Sequence, residues 1–103
     1  MTHPCILTWA AEADLQNIVR YTHREWGVEQ SRIYIKQLEI TATELALGQG
    51  IFRKRDDLYP DLRVRLTGHH FIFCLPQQEK PAVKIAILHE RMSLITRLKE
   101  RLD

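Results

Sequence analysis

Two short stretches carry the residues best suited to chemistry. His89-Glu90-Arg91 closes one apolar run, and Arg63 and Arg65 alternate with Leu62, Val64 and Leu66 in another. A histidine near neutral pH can act as general acid or base, and arginines can stabilise a phosphate transition state, so the set suits cleavage of RNA. It equally suits a plainer role, in which His89 and Arg91 make structural hydrogen bonds and a salt bridge at a strand end or contact a partner. The pattern favours the plainer role, because a nuclease site of this kind needs several cations converging on a positioned acid or base. His69-His70 is the other titratable pair. Adjacent strand residues point to opposite faces, so these rings do not readily share a metal ion. His69 reads as a turn residue and His70 as a partly buried strand residue. No Ser-His-Asp motif, phosphate loop, HExxH or zinc-type Cys/His spacing occurs, so neither a metal nor a cofactor is expected.

The elements that position these residues follow from periodicity. Cys5 to Trp9 is a short apolar run and reads as a strand. Ala10 to Trp26 reads as a helix with Leu15, Ile18, Val19, Thr22 and Trp26 on one face, and Glu12 and Asp14 near its start complement the helix dipole. Gly27 suits a left-handed cap. A second helix is predicted from Val28 to Leu47, with two apolar stripes. One is Ile35, Leu38, Ala42 and Leu45. The other is Ile33, Ile40 and Leu47, which faces the first helix or a partner. The short connection makes the two helices an antiparallel hairpin. Gly48 and Gly50 end the second helix, and residues 51–61 read as a polar linker. Strands are predicted over 62–66, 70–75 and 83–89, with turns at 67–69 and 76–81. Met92, Ile95, Leu98 and Leu102 mark a short amphipathic C-terminal helix. Trp9, Trp26 and Tyr34 are expected in the core, and Phe52 and Tyr59 are expected to pack the linker down. The fold class is α+β: an N-terminal strand, a helical hairpin on a small, mainly antiparallel sheet, and a short C-terminal helix.

Bulk composition agrees with one globular domain over residues 1–103. Hydrophobic residues make up 45% and charged residues 27% of the 103, which excludes a disordered chain. The net charge of +2 does not by itself announce a nucleic-acid binder, so no stable direct nucleic-acid binding is expected. Charge is nevertheless segregated. Arg53, Lys54, Arg55, Arg63 and Arg65 outnumber Asp56, Asp57 and Asp61, and the C-terminal stretch adds Arg91, Arg97, Lys99 and Arg101. Such a surface is either simply solvated or a face for a polyanion or an acidic partner. Cys5 and Cys74 lie in apolar runs and read as buried thiols in a reducing compartment. No signal-peptide pattern and no apolar run of membrane length is present, so a cytoplasmic protein without membrane partners is expected.

Five fragments, in order along nearly the whole chain, resemble the ParE toxins of the RelE/ParE superfamily. Leu7-Thr-Trp-Ala-Ala-Glu-Ala-Asp-Leu15 is similar to the family's opening strand and helix, and Tyr21-Thr-His-Arg-Glu-Trp-Gly27 to its first helix end. Gly50 to Arg63 resembles the Gly-x-x-Arg…Leu-x-Pro-x-Leu-Arg linker. Gly68-His69-His70-Phe71-Ile72-Phe73 resembles its hairpin, and Ile87-Leu88-His89-Glu90-Arg91 its Ile-x-His-x-Arg strand end. The resemblance implies a toxin of a type II toxin-antitoxin system that binds and inhibits DNA gyrase without being an enzyme, and that a cognate antitoxin neutralises. Target-face residues would be Arg63, Arg65, His89, Arg91 and the tail, and antitoxin contacts would be Ile33, Ile40 and Leu47. The alternative is the superfamily's other branch, a ribosome-dependent mRNA endoribonuclease, with His89 as acid or base and Arg63, Arg65 and Arg91 on the phosphate. No Tyr follows Tyr59, and the chain continues well past His89, two departures that favour the non-nuclease branch. Cys74 stands where many relatives carry Tyr.

Overall fold

A computed structural model describes residues 5–91 and 94–102. The elements are β1 (Cys5–Leu7), α1 (Trp9–Ala46), β2 (Arg53–Lys54), β3 (Arg63–Thr67), β4 (His70–Gln77), β5 (Lys80–His89) and α2 (Leu94–Leu102). The sheet order is β1-β5-β4-β3-β2. β1 runs parallel to β5, and every other pairing is antiparallel. The α+β class and the element order expected from the pattern are found.

The hairpin is a single helical element broken at Gly27, whose φ of 86° and ψ of 170° interrupt an otherwise helical run. A straight helix of 38 residues would be about 57 Å long at 1.5 Å per residue, yet the longest dimension of the molecule is 38 Å. The two arms therefore fold back on each other, and Thr22 Oγ1 meets Ser31 Oγ across them at 2.6 Å. The positive φ agrees with the expected role of Gly27, but ψ places it in a region only glycine visits rather than in a left-handed helical cap. Thr8 caps the start of α1 by accepting from the Ala11 N–H at 3.1 Å, so the helix begins at Trp9.

Both faces of the sheet are covered. On one side Ile18, Leu38, Ala42 and Leu45 of α1 pack on Ile72, Cys74 and Ile87. On the other, Leu98 of α2 packs on Leu62, Val64, Phe73, Ile85 and Leu88. Burial from two sides explains why Ile85-Ala86-Ile87-Leu88 is uninterruptedly apolar instead of alternating.

Several local expectations are corrected. Trp9 is not in the core: at the first position of α1 its side chain points away from the sheet and is 93% exposed. Trp26 is partly exposed and makes edge contacts with Tyr21 and Tyr34. The polar linker contains β2, which pairs with β3 through Arg53 opposite Val64 and Lys54 opposite Arg63. The turn between the last two strands is only Gln78-Glu79, with Glu79 at φ 56°, so β4 and β5 run through Pro76 and Pro81. Leu66 does not share the burial of Leu62 and Val64. Phe52 packs against the core as expected, and Tyr59 stays half exposed. Met92 and the side chains of Cys5 and Ile95 lie outside the described residues. Among those described, no helix is long and apolar enough to cross a membrane.

Candidate functional site

The register of the sheet divides the four predicted cations into two places. Arg63 pairs with Cys74 on β4, whereas His89 pairs with His70 at the start of the same strand. Four residues of strand, about 13 Å, separate the two levels.

Arg63 points toward the end of α1. Its Nη1 donates to the carbonyls of Leu45 at 2.8 Å and Ala46 at 3.2 Å. Those carbonyls belong to the last turn of the helix, where intrahelical donors run out and the dipole is negative. The guanidinium lies over the Phe52 ring, 5.1 Å from its centre, and Nε is buried without a hydrogen-bond partner. Arg65 sits one step further on the same side and pairs with Glu44 at 3.3 Å. Both arginines do face away from Leu62 and Val64, as alternation predicts. They face the helix, however, rather than open solvent.

His89 and Arg91 lie at the other level, in a cleft between the first arm of α1 and the end of β5. Asp14, Asn17, Ile18, Tyr21, His70, Ile87, His89 and Arg91 line about 400 Å³. A smaller hollow continues past Tyr21, His89 and Arg91 to Trp26, His69 and Glu90. The His89 ring stacks on His69, with centres 6.1 Å apart, and meets His70 edge-on at 5.2 Å. The backbone N–H of Arg91 donates to His89 Nδ1 at 3.1 Å. A peptide N–H cannot accept, so this bond requires a lone pair on Nδ1 and places the ring proton on Nε2. His89, whose ring lines the cleft, thus carries an N–H donor at Nε2. The exposed Arg91 guanidinium has no ion pair among the described residues.

His70 is buried beneath this surface, with Nδ1 2.6 Å from Tyr34 Oη. Burial, reinforced by the neighbouring His89 and His69, lowers its pKa from 6.5 to about 4, so the ring is neutral at physiological pH. Burial also raises the Tyr34 phenol. Tyr34 accepts from the His69 N–H at 3.2 Å and lies against Gly68. A Cβ at Gly68 would stand 2.5 Å from the Tyr34 ring, and the backbone there has φ 60°, so both sterics and conformation call for glycine in this turn. His69 itself reaches out to Glu90 at 2.9 Å, which lowers the Glu90 carboxyl pKa. The two adjacent histidines therefore take different partners, as expected of a turn residue followed by a strand residue.

The second apolar stripe of α1 is on the surface. Ile33, Ile40 and Leu47 are 48%, 52% and 55% exposed, while Leu38, Ala42 and Leu45 are buried. Thr41 and Glu44, on the adjoining flank, bond to Thr67 and Arg65, so the exposed stripe overlooks β3 and not the first arm.

Comparison with known proteins is decisive for the family. A family model for the ParE toxin of the type II toxin-antitoxin system, parDE, matches residues 5–94. Toxin ParE of Escherichia coli is 54% identical over 97 residues, covering 94% of each chain. The chain belongs to the ParE toxin family. Toxin ParE1 of Mycobacterium tuberculosis is 30% identical over 94 residues, 91% of this chain and 96% of that one. Toxin ParE1 of Caulobacter vibrioides is 33% identical over 70 residues, 68% and 73% of the two chains. As a ParE toxin this chain is the toxin component of a type II toxin-antitoxin system, and its family implies a cognate antitoxin.

One pairing in this ParE chain escaped the reading of sequence. Arg101 of α2 makes a bidentate bond to Asp14 of α1, both contacts at 2.9 Å, and also donates to the Ile85 carbonyl at 3.2 Å. Asp14 Oδ2 in turn accepts from the Ile87 N–H at 3.0 Å. Among the described residues β1 pairs with β5 only as far as Lys84, so Asp14 and Arg101 bond to β5 edge groups beyond it, the Ile85 carbonyl being shared with Thr8 Oγ1. Asp14 is thus an anchor for α2 more than a partner of the helix dipole. The only local signal was an acidic residue in a helix start and an arginine in a tail, 87 residues apart.

Proposed function

We propose that this toxin arrests growth by binding and inhibiting DNA gyrase in the cytoplasm, without itself catalysing a reaction, and that its antitoxin is an amphipathic segment seated on Ile33, Ile40 and Leu47. The observation that carries the first part is the state of His89. Its Nδ1 already accepts from the Arg91 N–H, and Nε2 bears the proton, so the ring is arranged to donate a hydrogen bond and not to abstract a proton. The dispersal of the cations points the same way. Arg63 is committed to the last carbonyls of α1 and Arg65 to Glu44, which leaves His89 and Arg91 without a converging set. Of the four expected target contacts, His89 and Arg91 are those we assign to the target face, with Arg65 at its margin and Arg63 behind it.

For the antitoxin, the supporting observation is the exposure of three large aliphatic side chains at seven-residue spacing on one helix flank, the pattern an amphipathic partner helix reads.

The test is a supercoiling assay with purified gyrase and relaxed plasmid, run beside a lane that traps cleaved DNA. Inhibition or accumulated breaks is the expected result. Unaffected supercoiling, together with transcripts cut in arrested cells and spared by His89→Ala, would overturn the reading in favour of the ribonuclease.

A further inference from the structure

The cleft beside His89 has a composition that inhibition of another protein does not require. Its lining includes the apolar Ile18 and Ile87 and the rings of Tyr21 and His89. The His69–His89 stack ends in this cleft, and Tyr21 is half exposed beside it. The polar groups are mostly donors. Among the lining residues His89 carries Nε2–H, Arg91 is exposed with no ion pair among the described residues, and Asn17 is exposed. The one carboxylate, Asp14, is already held by Arg101 and by the Ile87 N–H. A volume of about 400 Å³ falls in the range of small-molecule sites.

We propose that this cleft binds a nucleoside phosphate. The phosphate would lie against Arg91 and His89 Nε2–H, which supply charge-assisted hydrogen bonds. The base would enter between Tyr21 and the histidine stack, where an aromatic face accepts any base. Asn17 has both a donor and an acceptor, which matches a base edge and would be half idle opposite a simple carboxylate. This inference does not rest on gyrase being the target.

The probes are adenosine 5′-monophosphate, inorganic phosphate and a five-nucleotide single-stranded oligomer, titrated by calorimetry while the imidazole resonances of His89 and His70 are followed by NMR. The monophosphate should bind at least tenfold more tightly than phosphate and shift both histidines. Arg91→Ala and Tyr21→Ala, both at exposed positions, should each weaken it about tenfold. Arg53→Ala, at an exposed arginine outside the cleft, should leave it unchanged. Equal affinity for monophosphate and oligomer would identify a free nucleotide as the ligand, and much tighter oligomer binding would identify a nucleotide within a strand. Phosphate binding as well as the monophosphate would overturn the proposal by reducing the site to an anion contact. So would no binding at millimolar concentration, or indifference to Arg91→Ala in a variant shown by thermal unfolding to be folded.

Discussion

Arg63, within β3, and Arg91, just past β5, are the same residue type, and they have opposite surroundings. Arg63 is folded under α1, donates to two helix carbonyls and covers Phe52. Arg91 follows the last strand, is exposed, and has no ion pair among the described residues. The first arginine completes the fold, and the second is available to a ligand or a partner. Cationic character alone does not separate them. What does is the partner within reach: the last carbonyls of α1 accept from Arg63, and among the described residues no side-chain bond of that kind holds Arg91.

That contrast can be broken most forcefully at Arg63. Arg63→Ala should cost about 3 kcal/mol in urea unfolding, since it removes the guanidinium that covers Phe52 and donates to the part-buried carbonyls of Leu45 and Ala46, and Arg63→Lys should recover part of it. Retained stability with lost toxicity would instead put Arg63 on the target surface. His70 supplies an effect of similar size, about 3 kcal/mol. The unfolded chain protonates this residue at 6.5 and the folded one at about 4, so its contribution is full above pH 6.5 and lost as pH falls toward 4. His70→Gln should flatten that part of the stability profile, and an unchanged profile would show that the ring protonates freely in the native state. A double-mutant cycle on Asp14→Ala and Arg101→Ala should give a coupling of about 1–2 kcal/mol, larger than for an exposed pair because both side chains are mostly buried. Additive effects would mean α2 is held by Leu98 and Leu102 alone. Ile40→Glu should change stability by less than about 0.5 kcal/mol, and pull-down with the antitoxin should fail. Arg91→Ala should be the mildest in stability and should still abolish gyrase inhibition. A large stability loss there would erase the distinction from Arg63.

Much of this architecture was legible because its signals are local. The stripe Leu38, Ala42 and Leu45 and the stripe Ile33, Ile40 and Leu47 both follow helical spacing, and the first is the one buried. Alternation in 62–66 correctly put Arg63 and Arg65 on one face. It was silent on what that face meets, because the partner carbonyls lie 17 and 18 residues away. β2 was missed because two residues carry no periodicity. Trp9 was misplaced because size and hydrophobicity say core, while its position at the first turn of α1 decides otherwise. The cleft was half visible: His89 and Arg91 were picked out, but Tyr21 and Asn17 join them only through the packing of α1 on β5.

The parallel pairing of β1 with β5 also has a consequence for how the protein is made. Cys5 lies opposite Ala82, so β1 waits for β5 before the sheet can close, and the anchor of α2 waits for Arg101. Contacts this distant in sequence slow folding and leave apolar strands uncovered meanwhile. A nascent chain on the ribosome therefore has no finished sheet to offer, and its antitoxin, if it is to act early, must recognise the α1 hairpin, which is complete by residue 46.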